Sequence, residues 1–311
     1  MRIAFFGTPE FAVPSLVKLY QTGFDICCVI TAKEQPKGRG LKILPSPVKV
    51  KSQELGIQVY EPENPNTEEF YERLRQKNPE VCVLVAYGYI IKPLLLYLPK
   101  KGFVNLHPSL LPKYRGAAPI NWAIMRGEKE TGLTTFLMNE KIDAGKIIQQ
   151  KVVEIEPEET AGELTKRLAE LGAELLVETL KLIDQNNCPT VAQNDQAAVL
   201  APKIKDADRV IDWTRTNFEI HNQIRGLAPV PATYTYFRNK RVEIYRAICL
   251  NHPLAQAEPG TIVLPNKDLI VATGQGVLQI LQLKIEGGKL ITGRDFVNGQ
   301  RIKLGEGFRE R

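Results

Sequence analysis

The sequence predicts an α/β protein: a Rossmann-like, doubly wound, mostly parallel sheet followed by a smaller C-terminal β-barrel of OB-like type. Three observations carry this. Strand-like and helix-like segments alternate from the first residues, opening with the apolar run Arg2-Ile3-Ala4-Phe5-Phe6 that breaks at Gly7. The run Val81-Cys82-Val83-Leu84-Val85-Ala86-Tyr87 is apolar without interruption, as expected of a strand buried on both faces at the centre of a parallel sheet. Past residue 205 the style changes to short β-rich runs divided by turn signals. A length of 311 residues suits two domains, which we place at 1–188 and 206–311 with a linker over 189–205.

Taken in order, Gly7 ends the first strand, and Thr8 is positioned to cap a helix with Pro9 at its first position and Glu10 in its first turn. This turn lacks the second and third glycines of a dinucleotide fingerprint, so it reads as a substrate or phosphate rim. A strand over 25–31 leads into a long break over 33–47, stiffened by three prolines and freed around Arg39 by Gly38 and Gly40. Lys33, Lys37, Arg39, Lys42, Lys49 and Lys51 give it a dense positive charge fit to follow a nucleic-acid strand; a solvated flexible loop would read the same way. Helix 48–55, strand 58–60 and the polar helix 67–77 continue the alternation up to the central strand, which ends at Tyr87-Gly88-Tyr89.

The stretch Phe103-Val104-Asn105-Leu106-His107 alternates apolar with polar, so as a strand it puts Asn105 and His107 on one side before Pro108 ends it. A side-chain amide and an imidazole at a strand's carboxyl end are suited to acyl transfer, the amide holding a developing oxyanion and the imidazole moving a proton. A polar strand end that merely contains a histidine has the same pattern. Ligands of open α/β sheets sit beyond the strands' carboxyl ends, so the Tyr87-Gly88 turn opens on the same crevice as Asn105 and His107. Next come a helix to about Met125, a strand near 131–138, the tight turn Asp143-Ala144-Gly145, a strand over 146–155 and an amphipathic helix from about 161 to 184. The second domain reads as one helix, 217–224, then strands near 233–237, 242–247, 261–263, 269–272 and 277–284, with hairpin turns at Asn239-Lys240 and Gly274-Gln275-Gly276.

Composition narrows the class. Hydrophobic residues at 43% and charged residues at 24% are ordinary for a soluble globular protein. No apolar run approaches the eighteen or so residues that span a bilayer, and Met1-Arg2 leads straight into a strand, which predicts a cytoplasmic protein without membrane contact. Five cysteines without CxxC spacing predict inert thiols, and with His221 and His252 isolated no metal site is expected. Residues 201–311 hold 17 Lys and Arg against 11 Asp and Glu, which accounts for the whole net charge of +6 and hints at a polyanionic partner. Lys37, Arg39 and Lys42 in the loop, with Arg238, Lys240 and Arg241 in the second domain, are the candidates to meet it. The absence of a self-association stripe predicts a monomer.

Asn105-x-His107, Ser109-Leu110-Leu111-Pro112, Tyr114-Arg115-Gly116-Ala117-Ala118-Pro119-Ile120, Thr131-Gly132-x-Thr134 and Asp143-x-Gly145, in this order, resemble the folate-dependent formyltransferases. Phe6-Gly7-Thr8-Pro9-Glu10-Phe11, Gly38-Arg39-Gly40, Pro45-Ser46-Pro47-Val48-Lys49 and Ile211-Asp212-Trp213 extend the resemblance over nearly the whole chain; Pro229-Val230-Pro231-Ala232 departs from it, lacking the glycine expected after the second proline. The resemblance implies 10-formyltetrahydrofolate as formyl donor and a C-terminal barrel that helps bind initiator methionyl-tRNA. It implies Asn105, His107 and Asp143 as catalytic residues, Ser109, Leu110, Leu111 and Pro112 with Tyr87 and Gly88 at the folate pocket, and Gly38-Arg39-Gly40 as the tip of a loop approaching the acceptor end. The rivals are a related formyl enzyme acting on a nucleotide sugar or on water, a nucleic-acid-binding module with a degenerate catalytic domain, and a nicotinamide oxidoreductase. The basic segments weigh against the first, the intact trio against the second and the absent glycines against the third.

Overall fold

The computed structural model describes residues 1–33, 35–37, 42–250, 257–263, 268–303 and 305–309. The chain forms two compact units, one of residues 1–116, 131–153 and 165–201, the other of 117–130, 154–164 and 202–311.

The first unit is a seven-stranded sheet. Its elements run β1 (Arg2–Gly7), α1 (Val13–Gln21), β2 (Asp25–Ile30), the short ribbon β3 (Gln35–Lys37) and β4 (Lys42–Leu44), α2 (Pro47–Glu54), β5 (Val59–Tyr60), α3 (Glu68–Lys77), β6 (Val81–Val85), α4 (Pro93–Leu96) and β7 (Phe103–His107). After α5 (Pro119–Met125), which belongs to the second unit, come β8 (Glu130–Leu137), β9 (Lys146–Glu154) and α6 (Ala161–Asp184). The strand order is β5-β2-β1-β6-β7-β8-β9, parallel from β5 through β7, with β8 antiparallel to β7. Local signals explain the helix starts. Ser46 accepts from the Lys49 amide at 3.0 Å and Thr67 from the Phe70 amide at 3.3 Å, each satisfying one of the orphan donors of a first turn. Thr8 does not cap a helix as its sequence suggests; its hydroxyl donates to the Tyr87 carbonyl at 3.0 Å and accepts from the Ala32 amide at 3.2 Å, tying the ends of β1 and β6 together.

The two faces of β7 do different work. Leu106 lies against α6, where a Cβ built on Gly172 would sit 2.7 Å from Leu106 Cδ2, so the leucine fills the space that glycine leaves on the helix. Phe103, Asn105 and His107 point the other way, and Phe103 joins a core with Phe6, Leu74, Leu95 and Tyr87. Burying each such aromatic ring contributes about 2 to 3 kcal/mol. The segment that the sequence marks as linker is stitched into this unit over its first part: Val191 exchanges both backbone bonds with Ile147 at 2.8 Å, and Ala201 donates to the Arg115 carbonyl at 2.7 Å.

The second unit continues with α7 (Asn217–Leu227), β10 (Thr233–Phe237), β11 (Lys240–Leu250), β12 (Ile262–Val263), β13 (Ile270–Ala272), β14 (Val277–Ile285), β15 (Leu290–Thr292) and α8 (Gly293–Gln300). Its sheet is antiparallel, in the order β10-β11-β14-β13-β12 with β15 on β14; β15 and α8 add to the five strands and one helix legible in the sequence. The hairpin turn centres on Arg238-Asn239, one residue earlier than expected, with φ of 45° and 63° that match a two-residue primed turn. The C-terminal tail joins the sheet's two edges: Phe308 donates to the Gly260 carbonyl at 2.8 Å, while Arg309 and Tyr236 exchange bonds at 3.0 Å. Phe308 also stacks on Trp213, ring centroids 5.6 Å apart.

Helix α7 begins with a capping box, Thr216 and Glu219 each bonding the other's backbone amide. The bond from the Thr216 amide, followed by those from the Arg215 guanidinium and the Thr216 hydroxyl, lowers the Glu219 carboxyl to about 2. A carboxyl depressed in the folded state contributes stability above the ordinary glutamate value of about 4.3, and this is lost as pH falls toward 2. Glu219→Gln is therefore expected to lower the thermal midpoint slightly at pH 7, by an amount that shrinks below about pH 4 and disappears near pH 2. Thermal scans of both proteins from pH 7 downward check this, and a difference independent of pH would refute it. Among the described residues, no helix is long and apolar enough to cross a membrane, and all five cysteines are free thiols.

Candidate active site

Asn105 and His107 occupy the last turn of pleat on β7. Asn105 lies opposite Leu84 on β6 and Phe136 on β8, and His107 opposite Thr134. Two residues of strand separate them by about 6 to 7 Å. Both are largely buried, Asn105 at 9% and His107 at 5% exposure. Among the described residues the Asn105 carboxamide makes no hydrogen bond, whereas the His107 ring is tied. Its Nε2 lies 2.9 Å from the Tyr114 carbonyl, an acceptor only, so Nε2 carries a proton and Nδ1 is the nitrogen left for other chemistry. Tyr114 aims that carbonyl from a left-handed conformation, φ 62°.

The loop leaving β7 is held by a hub on the neighbouring strands. Thr134 Oγ1 donates to the Ser109 carbonyl at 2.6 Å and accepts from the Leu111 amide at 3.1 Å and from Gln150 Nε2 at 2.9 Å; Gln150 also donates to the Leu111 carbonyl at 2.9 Å. Ser109 is fully buried and its hydroxyl donates to the Lys113 carbonyl at 2.7 Å, so it shapes the loop from within. Leu111 is buried, while Leu110 and Pro112 are half-buried.

Asp143 comes to this site from 36 residues away. It sits at φ 49° in the turn after β8, its Oδ2 accepts from the Gly116 amide at 2.8 Å, and the same oxygen is 3.7 Å from His107 Nδ1. That separation is an ion-pair distance slightly too long for a hydrogen bond, and such contacts tighten when substrate is bound. His107 and Asp143 are thus brought together, with Asn105 on the same strand face. The geometry differs from a serine-hydrolase triad: the carbonyl of Tyr114 orients the ring through Nε2, and Asp143 stands beside the other nitrogen, Nδ1.

At the end of β6, Tyr87 is 1% exposed and its buried hydroxyl has no partner among the described residues. Burial, with Tyr89 close by, pushes this phenol above its usual range. Ala86 and Gly88 flank it with φ of 49° and 91°. Of the basic candidates in the first unit, Lys37 and Lys42 are paired in the backbone register of the β3–β4 ribbon, and Arg39 lies outside the described residues. In the second unit Arg238 forms a two-pronged pair with Glu306, at 2.8 and 2.7 Å. Arg241 stacks over the Tyr234 ring at 3.8 Å, and Lys240 is exposed beside them. The sequence assigns no role to the Tyr114 carbonyl, Thr134 or Gln150, although Tyr114 and Thr134 stand in its motifs; the bonds of Thr134 and Gln150 span 16 to 39 residues, for which no local pattern exists.

Residues 1–180 match the formyl transferase family and residues 203–301 the formyl transferase C-terminal domain. The chain is 43% identical over 311 residues to a methionyl-tRNA formyltransferase of Pelotomaculum thermopropionicum, covering 98% of this chain and 99% of that one. It is 44% identical over 310 residues to the methionyl-tRNA formyltransferase of Carboxydothermus hydrogenoformans, covering 99% of each. Among solved structures, an N-formyltransferase from Helicobacter canadensis in complex with folinic acid and dTDP-3-aminofucose has the same fold, with a TM-score of 0.69 at 22% identity over 89% of this chain and 97% of that one. HypX from Aquifex aeolicus in complex with tetrahydrofolic acid has a TM-score of 0.66 at 14% identity, covering all of this chain and 51% of its own. With both of the family's domains matched in order along its length, the chain belongs to the formyl transferase family.

Proposed function

We propose that the protein transfers the formyl group of 10-formyltetrahydrofolate to the α-amino group of initiator methionyl-tRNA, with Asn105, His107 and Asp143 as its catalytic residues. The observation that carries this is the convergence of a carboxylate and an imidazole, 3.7 Å apart, on the strand face that holds an uncommitted carboxamide. Relatives named for this reaction share 40 to 44% of their residues with nearly the whole chain. The donor supplies an activated formyl group on nitrogen; the Tyr87-Gly88 turn after β6 and the Leu110-Leu111-Pro112 loop after β7, both past the carboxyl ends of parallel strands, would hold its folate ring.

The chain's own contribution follows from its geometry. As the amine's lone pair forms a bond to the formyl carbon, negative charge moves onto the formyl oxygen, and Asn105 Nδ2 donates to it without giving up a prior bond. His107 Nδ1 and the Asp143 carboxylate stand where the amine's proton must go, and that proton then serves the departing nitrogen as the second carbon–nitrogen bond breaks. Tyr114 and Gly116, which fix the ring and the carboxylate from their backbones, keep the pair from drifting apart. Lys37, Arg39, Lys42, Arg238, Lys240 and Arg241 would contact tRNA phosphates. Binding of tRNA, but not of folate, should then weaken steeply with rising ionic strength.

The test offers radiolabelled formyl donor with methionyl-tRNA, free methionine, a nucleotide amino sugar or water as acceptor. Formylation of charged tRNA alone is expected, and His107→Ala should reduce it by about 10² to 10⁴. Equal or faster reaction with an amino sugar or water would replace this reading by the corresponding relative's.

A further inference from the structure

The turn that carries Asp143 holds a non-glycine residue in the left-handed region, which costs about 1 kcal/mol or more and persists only where the surroundings over-determine it. One side chain does most of that work. Gln193 donates through Nε2 to the carbonyls of Asp143 at 2.9 Å and Gly145 at 2.8 Å, so both amide protons are spent on the two ends of the turn. Its Oε1 accepts from Arg115 Nε at 3.0 Å and Nη2 at 2.7 Å, and Arg115 is itself paired with Asp195 at 2.8 Å. A cation on the amide oxygen polarises the group and strengthens the two bonds on its nitrogen. Gly116, the residue after Arg115, donates to Asp143 Oδ2, which closes a ring from Arg115 through Gln193 and the turn to the carboxylate and back.

We infer that Gln193 is a positioning residue for formyl transfer, pinning the Asp143-Ala144-Gly145 turn so that the carboxylate stands beside His107. The inference rests on the reading of Asp143 as catalytic. Gln193→Glu is the informative substitution, because it has nearly the same shape and keeps, indeed strengthens, the bond to Arg115. It brings no donor, however, and turns carboxylate oxygens toward two carbonyl oxygens, so the turn is released while the segment around it stays docked.

The experiment measures formylation of methionyl-tRNA by the full chain carrying Gln193→Glu, Gln193→Ala, Asp143→Asn or Gln193→Glu with Asp143→Asn, beside thermal midpoints. Gln193→Glu is expected to lower kcat about ten- to a hundredfold while the KM for the folate donor and the midpoint stay near those of the parent. In the Asp143→Asn background the same substitution should change kcat by less than about twofold, since no carboxylate remains to be positioned. A parent-like kcat in Gln193→Glu overturns the inference. So does a loss that carries through in full over Asp143→Asn, or a lowered midpoint with unchanged kcat per folded molecule. Undiminished turnover by Asp143→Asn itself would instead strike the catalytic reading of Asp143.

Discussion

Asn105→Ala is expected to slow turnover on the order of a hundredfold or more while leaving affinity for the folate donor nearly intact, because loss of one preorganised oxyanion donor typically costs about 3 to 4 kcal/mol of transition-state stabilisation. The structure supplies the reason to expect a selective effect. A carboxamide at 9% exposure that makes no hydrogen bond among the described residues contributes little to the folded state, so removing it orphans no partner. Its value is realised only when charge appears on the reacting oxygen, and an interaction made only in the transition state lowers kcat without raising KM. Asn105→Asp should be at least as damaging, for it keeps the shape but replaces the donor by an acceptor facing the developing charge. Steady-state kinetics with methionyl-tRNA, together with calorimetric titration of the folate, separates these effects. A folate Kd weakened in proportion to kcat would move Asn105 from catalysis to binding.

How much of this was legible before the structure depends on the reach of each contact. The alternation of Phe103 to His107 puts Asn105 and His107 on one face by strand periodicity alone, and β7 has that face. The turn at Asp143 is equally legible as a turn. Its arrival beside His107 is not, because it depends on β8 pairing antiparallel with β7 and on an amide from Gly116, 27 residues earlier. Gln193 lies in a polar, Ala-rich stretch with no hydrophobic period, and its role comes from side-chain bonds spanning 48 to 78 residues. Thr8 had every local mark of a cap, yet the Tyr87 carbonyl across the sheet offered its hydroxyl a better use. In the second unit the strands were readable, but the tail that joins the sheet's edges carries no alternating pattern, since Glu306, Phe308 and Arg309 act through backbone bonds and Phe308 through its stacked ring. Likewise Asn121 on α5 donates to the Gly226 carbonyl at 2.7 Å, a tie across 105 residues that sequence-contiguous boundaries cannot express.

The other large effect is expected from Gly145→Ala, which adds one methyl group and touches no side chain of the proposed chemistry. A Cβ built on Gly145 would lie 1.8 Å from the Leu137 carbonyl oxygen and 3.0 Å from Phe136 Cδ2. The first of these neighbours is backbone of β8, and Leu137 is paired with Val104 on β7, so it cannot withdraw without loosening the strand that carries Asn105 and His107. The turn must move instead, taking Asp143 with it and pulling the Gly145 carbonyl from Gln193. Overpacking of this kind typically costs about 1 to 3 kcal/mol of stability. The larger consequence is kinetic, since a shift of about 1 Å at a catalytic group can cost about a hundredfold in rate. Gly23→Ala is the matched control: φ at Gly23 is 84°, so the substitution is strained, but nothing lies within 4 Å of the added carbon. It should lose stability of the order of 1 kcal/mol and keep its turnover. Thermal midpoints and kcat measured for both variants distinguish the cases. If Gly145→Ala is destabilised like Gly23→Ala and still turns over at the parent rate, the placement of the Asp143 turn does not limit the reaction, because a carboxylate that can be moved without consequence is not part of the proton's path.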